Sequence, residues 1–295
     1  MGLENAPPLG TPMLPTDIFK GKTVYITGGG TGLGKGIARE FARHGANIAI
    51  ASRKAEHREA GVAAMEAVGA KAFGSAVDIR EPEAIVRSFD EVEEALGPIS
   101  ILINNAAGNF GSPAERMSAN AWRSVVNIVL NGTFFCSTEL ARRLIARKEG
   151  GAILNIGATY AWTGGPIASH SAAAKAGVTN LTQSLAVEWA PDNIRVNCLA
   201  PGLFPADDRS EHAIGISKGE VPRGATSIPA QRVGLTHELG YAAIFMCSPY
   251  ASYLTGHTLV LDGANWLRRY GFGMPEFEVV RDRFDQAQAE AAKLG

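Results

Sequence analysis

One stretch near the amino terminus decides the fold: Thr27-Gly28-Gly29-Gly30-Thr31-Gly32-Leu33-Gly34-Lys35-Gly36. It follows a short apolar run, Thr23–Ile26, which predicts a buried strand, and from Leu33 to Phe41 apolar residues recur every four positions, as on one face of a helix. A glycine turn between a strand and a helix lets the backbone approach an anion, to which the helix start offers free N–H groups. The spacing therefore predicts a nucleotide site, with a purely structural tight turn as the alternative.

Composition narrows the class of protein. The chain has 295 residues, 46% of them hydrophobic and 19% charged, enough for one large α/β domain with a buried core. A net charge of -1 argues against nucleic acid or an anionic membrane as the main partner. Three widely separated cysteines predict a reducing compartment and no metal site. With no membrane-length apolar run and no targeting segment, we expect a cytoplasmic protein.

Strand-like and helix-like segments alternate from Lys22 onward, which predicts a single-domain, Rossmann-like, doubly wound parallel sheet flanked by helices. We expect strands at 23–26, 47–51, 70–77, 99–103, 151–156, 194–199 and 257–261. One long helix is expected from Trp122 towards Ile145. The domain organisation is then an irregular proline-rich arm at 1–20, the Rossmann-like domain at 21–265 and a tail at 266–295. Within the domain, 203–235 is expected to cover the substrate.

The end of the second strand predicts which nucleotide binds. An acidic residue there would favour NAD, but the sequence reads Ala51-Ser52-Arg53-Lys54. Two cations suit the 2′-phosphate of NADP(H), and without an anion they would be unfavourable at a helix start. The alternative is a solvated helix start. Asp78, after the third strand, either accepts from the adenine amino group or caps the next helix.

Four features together resemble the short-chain dehydrogenase/reductase family: the glycine loop, Asn104-Asn105-Ala106-Ala107-Gly108, Lys175 near a helix start, and Pro201-Gly202. The resemblance covers about residues 20–265. It implies a subunit, usually tetrameric, that moves hydride to or from a nicotinamide. The cofactor contacts it implies are Gly28, Thr31, Gly32, Leu33, Gly34, Ser52, Arg53, Asp78, Ile79, Asn105, Ala106, Lys175, Pro201, Gly202, Leu203 and Phe204.

The usual catalytic residues of the family are replaced. Counting back from Lys175, Ser171 stands at the tyrosine position and Ala158 at the serine position, and Val129 matches the family's helical asparagine. With these replacements, the sequence resembles the mitochondrial-type 2,4-dienoyl-CoA reductases. The matching segments are Met13–Pro15, Gly28–Gly36, Ala51–Lys54, Asn105–Phe110, Val129–Thr133, Tyr160-Ala161 and Ser171–Gly177. In that branch the catalytic tyrosine lies fifteen residues before the lysine, at Tyr160 here, and Asn109 is its partner.

This resemblance implies NADPH-dependent reduction of 2,4-dienoyl-CoA to 3-enoyl-CoA during oxidation of unsaturated fatty acids. Tyr160 and Asn109 would donate to the thioester oxygen as an oxyanion hole. Lys175 would hold the nicotinamide ribose, and Ser171 would fix the lysine and the cofactor. From the residues alone, Tyr160 could equally be an ordinary tyrosine, Asn109 a turn cap, Lys175 a surface lysine and Ser171 a helix cap.

The resemblance also implies an acyl-CoA site with contacts from Arg80, Phe110 and Ser118. A further arginine of the branch has no match in register: Arg209 is nearest but about three residues early. A solvated lid is the alternative for these groups. Two other functions stay open, namely a carbonyl reductase or alcohol dehydrogenase with a relocated tyrosine, and an inert NADP(H)-binding sensor. A homotetramer is implied by the resemblance.

Overall fold

The computed structural model describes residues 7–205 and 227–268 and the single positions 282, 286 and 289. Seven parallel strands form one sheet in the order β3-β2-β1-β4-β5-β6-β7, which confirms the predicted doubly wound architecture. The strands are β1 Thr23–Thr27, β2 Asn47–Ser52, β3 Ala72–Ala76, β4 Ile99–Asn104, β5 Gly151–Ile156, β6 Ile194–Pro201 and β7 Thr258–Leu261. Because all seven run the same way, their carboxyl ends share one edge of the sheet.

Helices cover both faces of this sheet. They are α1 Gly32–Arg43, α2 Ala55–Glu66, α3 Pro82–Leu96, α4 Ala119–Val126, α5 Gly132–Arg147, α6 Tyr160–Thr163, α7 Ser169–Trp189 and α8 Thr236–Cys247. Alternate residues of β1 point to opposite faces, so Val24 and Ile26 pack with α1 and α8, whereas Tyr25 packs with α3 and α5. The two resulting cores hold the loops at the carboxyl edge in place.

Two predicted elements differ from the structure. The single long helix through Trp122 and Ile145 is interrupted by a π-helical turn at Asn127–Asn131, a feature that often occurs at functional sites. Within it, the Val129 carbonyl accepts from the Thr133 hydroxyl at 2.7 Å. The third strand begins at Ala72 rather than Ala70, because Ala70 N donates to Met65 O and completes the end of α2.

Residues 7–20 form turns and pack beside α1 and α8. Phe19 is buried with its ring 5.0 Å from that of Phe41, and the Tyr241 hydroxyl donates to Thr11 O at 2.9 Å. Within the described part of the chain, no helix combines the length and the apolar character that crossing a membrane requires.

Candidate functional site

A cavity of about 280 Å³ opens at the carboxyl ends of β1 to β4. It is lined by the glycine turn and by the loops that follow β2, β3 and β4. Ten residues predicted to contact a nucleotide lie in its wall: Gly28, Thr31, Gly32, Leu33, Ser52, Arg53, Asp78, Ile79, Asn105 and Ala106. The structure therefore brings the adenosine half of the predicted cofactor site together in one place.

The glycine turn and the loop after β4 form one hydrogen-bonded unit. The Asn105 carboxamide donates to the carbonyls of Thr27 and Gly28 at 3.0 and 3.1 Å, and Thr27 Oγ1 accepts from the Asn105 and Ala106 amides at 3.0 Å. Gly28 has φ +65°, and a Cβ on Gly34 would lie 2.5 Å from the Gly28 carbonyl oxygen. Glycine at these two positions lets the turn close against Asn105.

Arginine, lysine and histidine side chains lie close together where β2 meets α2. Arg53 is mostly exposed, Lys54 is the N-cap residue of α2, and His57 lines the cavity. Arg58 fixes this corner, since its guanidinium donates to the Ser52 and Arg53 carbonyls, both at 2.9 Å. Cations near a helix N-terminus are favourable when an anion sits between them. Sequence reasoning found Arg53 and Lys54 but missed His57 and Arg58, which lie on the helix beyond the strand end.

Asp78 binds Arg80 and does not cap a helix. The Arg80 Nε donates to both carboxylate oxygens of Asp78, at 2.9 and 3.1 Å, and Arg53 lies 3.7 Å away. These bonds from Arg80 hold the pKa of Asp78 below its usual value. The helix-cap alternative is wrong, because α3 begins at Pro82 after Glu81. Arg80, predicted to contact CoA, therefore lies at the rim of the nucleotide cavity.

Tyr160, Ser171 and Lys175 lie together beyond the end of β5. The Tyr160 hydroxyl and Ser171 Oγ share a hydrogen bond at 3.0 Å, and Lys175 follows one turn later on α7. The Lys175 ammonium donates to the Ile156 carbonyl, and burial lowers its pKa to about 8. Lys175 is only 6% exposed, so the surface-lysine alternative is wrong. Ser171 lies inside α7 after Ala168 and Ser169, so it does not cap the helix.

Asn109 lies in the exposed loop after β4. Its side-chain oxygen accepts from Phe110 N at 3.0 Å, which leaves the amide NH₂ as its donor group. This loop makes two contacts with the segment that joins α6 to the start of α7. Ser112 N donates to Ile167 O at 2.8 Å, and the Phe110 ring meets the His170 ring edge-on at 4.5 Å. Sequence reasoning missed Ser112, Ile167 and His170, because no local spacing connects these distant positions.

The other predicted contacts are spread along the same edge. Gly202 follows β6, where a Cβ would lie 2.5 Å from that of Asp262. Leu203 and Phe204 line a separate, mostly apolar cavity of about 140 Å³ beside β7. Ser118 is exposed, and its hydroxyl accepts from Ala121 N at 3.1 Å as the N-cap of α4. Arg209 lies outside the described residues, as does most of segment 203–235.

One aromatic contact joins the residues that follow β7 to the helix that carries Tyr160. The indole rings of Trp162 and Trp266 lie 5.6 Å apart, so the residues after β7 pack beside α6, which carries Tyr160. Nothing in the sequence pattern connects these two tryptophans. Beneath the site, Asn104 donates to Asn155, which in turn donates to Thr182, both at 2.9 Å. This buried network joins β4, β5 and α7 below the three predicted catalytic residues.

Comparison with known proteins gives consistent matches along this chain. A family model described as "Enoyl-(Acyl carrier protein) reductase" matches residues 28–264. A probable 2,4-dienoyl-CoA reductase of Bacillus subtilis, named as producing (2E)-enoyl-CoA, is 41% identical over 85% of this chain and 99% of its own length. The peroxisomal 2,4-dienoyl-CoA reductase of Pongo abelii, named as producing (3E)-enoyl-CoA, is 40% identical over 85% of this chain and 86% of its own.

Solved structures agree. A short-chain dehydrogenase from Bacillus anthracis is 41% identical, with a TM-score of 0.77 over 86% of this chain and all of that one. A structure described as a putative short-chain alcohol dehydrogenase from Sinorhizobium meliloti is 32% identical, with a TM-score of 0.78 over 86% of this chain and 99% of the other. Fold, identity and coverage together place this chain in the short-chain dehydrogenase/reductase family, where it is an oxidoreductase similar to 2,4-dienoyl-CoA reductases.

Proposed function

We propose that the protein reduces 2,4-dienoyl-CoA thioesters to 3-enoyl-CoA with NADPH, in the oxidation of unsaturated fatty acids. The hydrogen bond between Tyr160 and Ser171 carries this proposal. Ser171 stands where the family's tyrosine would be, and the bond brings the phenol of Tyr160 to that place from the short helix α6. A phenol there, with a cation one helical turn away at Lys175, suits stabilisation of a negatively charged oxygen.

The mechanism needs donors at the thioester oxygen more than it needs an acid. NADPH, when bound, supplies a hydride, which adds to C5 of the diene. The two electrons then move through the conjugated system onto the thioester oxygen, where Tyr160 O–H and the Asn109 amide donate. Lys175, one helical turn after Ser171, would supply a positive charge to the same site. A proton from water reaches C2, and the remaining double bond lies between C3 and C4.

The carbon atom that takes up this proton determines which of two products forms. Protonation at C2 gives a 3-enoyl thioester, whereas protonation at C4 gives a 2-enoyl thioester. The names of the two curated relatives differ in this respect. C2 is bonded to the thioester carbon, whose oxygen the Tyr160 and Asn109 donors would hold. Their placement at that end of the conjugated system favours the 3-enoyl product.

The cavity at β1 to β4 fits the adenosine half of NADP(H). Its glycine turn leaves room for a pyrophosphate at the start of α1. Arg53 and Lys54 provide cationic partners for a 2′-phosphate, His57 lines the same cavity, and Asp78 is already engaged by Arg80. At the other end of the cofactor, Lys175 would hold the nicotinamide ribose and Pro201–Phe204 would border the ring. These cations favour NADPH over NADH.

For the substrate, we propose that Phe110 contacts the acyl-CoA and that Arg80 and Arg209 pair with CoA phosphates. Phe110 is 40% exposed beside Asn109, within reach of an incoming thioester. Segment 203–235 would cover the bound acyl chain. We further propose a cytoplasmic homotetramer. Three buried free thiols suit a reducing compartment, and exposed Trp122 and Phe134 on α4 and α5 suit burial between subunits.

A carbonyl reductase or alcohol dehydrogenase is the second candidate, favoured by the same phenol. Placed beside Ser171, Tyr160 could instead protonate a developing alkoxide, as the usual tyrosine of the family does.

One experiment tests the proposed reaction by identifying its product. The protein is incubated with NADPH and a 2,4-hexadienoyl-CoA, and the double bond of the product is located by NMR. A 3-enoyl product supports the proposal, and a 2-enoyl product or no reduction contradicts it.

A further inference from the structure

Two energetically unfavourable features occur side by side near the predicted catalytic residues. Ile167 has φ +57°, a left-handed conformation that is rare for a β-branched residue. His170 is fully buried, yet neither ring nitrogen has a hydrogen-bond partner among the described residues. A neutral imidazole carries one donor and one acceptor, so burying both unpaired is unfavourable. Backbone strain and unpaired buried groups that persist often mark functional sites.

Both residues contact the loop after β4, Ile167 from the loop between α6 and α7 and His170 from the first turn of α7. The left-handed Ile167 presents its carbonyl to Ser112 N at 2.8 Å. The His170 ring meets the Phe110 ring edge-on, with centroids 4.5 Å apart and planes at 67°. We call this set of four residues, Phe110, Ser112, Ile167 and His170, the interloop contact.

The interloop contact adjoins, along the chain, residues that carry or bind the two proposed oxyanion donors. Asn109 directly precedes Phe110 in one loop. On the other side, His170 directly precedes Ser171, which bonds Tyr160. Asn109 bonds its own neighbour, Phe110 N, and not Tyr160. The interloop contact thus joins the two segments that carry these donors, which do not bond each other directly.

From this arrangement we infer that Ile167 and His170 are positioning residues that hold Asn109 against Tyr160 for the dienolate oxygen. The inference rests on the proposed function, because it specifies how the oxyanion hole is assembled. An oxyanion hole works only when its donors are fixed before the charge develops, and small displacements of such groups cost large factors in rate. Strain at Ile167 and unpaired nitrogens on His170 are tolerated because the contact they make fixes that geometry.

Ser112 allows a matched pair of variants. Ser112→Pro removes the backbone N–H that binds Ile167, whereas Ser112→Ala keeps it and removes only the hydroxyl. With 2,4-hexadienoyl-CoA, Ser112→Pro should lower kcat by about tenfold to a hundredfold and leave KM for NADPH within about twofold of wild type. Ser112→Ala should stay within about twofold in both constants. Equal kcat for the two variants would overturn the inference.

A double-mutant cycle shows whether the interloop contact acts through Asn109. In an Asn109→Ala background the donor is already gone, so adding Ser112→Pro should lower kcat by less than about threefold. If the losses of the two single variants instead multiply, Ser112 does not act through Asn109 and the inference fails. Wild-type protein that reduces no dienoyl-CoA would refute the proposed function itself, which is a separate outcome.

His170 provides a second test that does not alter the backbone. His170→Phe keeps an aromatic edge against Phe110 and removes the unpaired nitrogens, so kcat should stay within about threefold of wild type. His170→Ala removes the contact and should lower kcat as far as Ser112→Pro does. If His170→Phe loses as much activity as His170→Ala, a ring nitrogen acts directly and the positioning role is wrong. NADPH binding by fluorescence checks that each variant is folded.

Discussion

Replacing Tyr160 by phenylalanine removes one oxygen atom from the proposed oxyanion hole and leaves the nucleotide cavity unchanged. The residues that line that cavity all lie between Gly28 and Ile128 in the chain, whereas Tyr160 lies after β5. Loss of one oxyanion donor typically costs about 2.7–4 kcal/mol of transition-state stabilisation, or about 10²–10³ in kcat. Asn109 would remain as the second donor, so we expect the lower end, a fall in kcat of about 10² with 2,4-hexadienoyl-CoA.

The structure also predicts a small loss of stability. Ser171 is buried, and its hydroxyl makes its hydrogen bond to Tyr160 at 3.0 Å. Leaving it unpaired costs about 1 kcal/mol, since Tyr160 is half-buried and water can reach the gap. For a domain of this size, that lowers Tm by about 2–4 °C. A fall of this size would leave the protein folded at assay temperature, so lost activity reports on the chemistry.

The assay measures kcat by NADPH oxidation and the NADPH dissociation constant by fluorescence. Tyr253→Phe is the matched control, because Tyr253 is fully exposed and lies before β7, at the opposite edge of the sheet. Tyr160→Phe should bind NADPH like wild type and turn over about a hundredfold more slowly, while Tyr253→Phe should match wild type. A Tyr160→Phe enzyme within threefold of wild type would refute the oxyanion role of the phenol. A wild type that binds NADPH and reduces no substrate would instead fit the sensor.

Charge and hydrogen bonding at the site lead to four further predictions. Arg53→Gln should lower the ratio of kcat/KM with NADPH to kcat/KM with NADH by about tenfold. Arg142→Gln, which removes an exposed cation on α5, is the control and should leave this ratio unchanged. An unchanged ratio in Arg53→Gln would contradict the proposal that Arg53 binds the 2′-phosphate. Because burial lowers the pKa of Lys175 to about 8, kcat/KM should fall as the pH rises above that value. Lys175→Arg should abolish this fall in kcat/KM at high pH. A wild-type kcat/KM that does not change from pH 7 to 9.5 would refute the role of the Lys175 charge. Unfolding free energy should rise between pH 8 and about 10.4, since there the unfolded chain binds the Lys175 proton and the folded chain does not; chemical denaturation across that range checks the sign. Ser171→Ala should lower kcat by about threefold to tenfold and leave NADPH binding intact. The NADPH-oxidation and fluorescence assays measure both quantities. A loss of NADPH binding would show that Ser171 acts on the cofactor instead.

Local patterns were sufficient to predict the sheet. Apolar runs of the right length mark the strands, and the glycine turn after β1 fixes where the nucleotide cavity must open. The π-helical turn at Asn127–Asn131 left no such mark, because apolar residues at 125, 126, 129 and 130 fit a continuous helix equally well. The start of β3 was also wrong, since Ala70 is chemically able to continue either the strand or the end of α2.

In the candidate site, too, some residues could be predicted from local sequence and others could not. Arg53 and Asp78 were found because Arg53 directly follows β2 and Asp78 lies two residues beyond β3, at the edge where ligands bind an open parallel sheet. The bond between Arg80 and Asp78 was not predicted, since side chains two residues apart can meet only in the particular turn that the structure has there. The contact of Ile167 with Ser112 joins positions 55 residues apart through backbone atoms, which every residue type carries. No composition or spacing identifies such a bond.

The most direct test of the proposed chemistry compares two substrates with the wild-type protein. NADPH oxidation is followed with 2,4-hexadienoyl-CoA and, separately, with a 3-oxoacyl-CoA of equal chain length, with NADH as the control for cofactor choice. Tyr160 beside Ser171, with Ala158 in the serine position, predicts rapid turnover of the diene and little of the ketone. Turnover of the ketone alone would contradict the oxyanion hole of Tyr160 and Asn109, and would assign Tyr160 the role of an acid in carbonyl reduction.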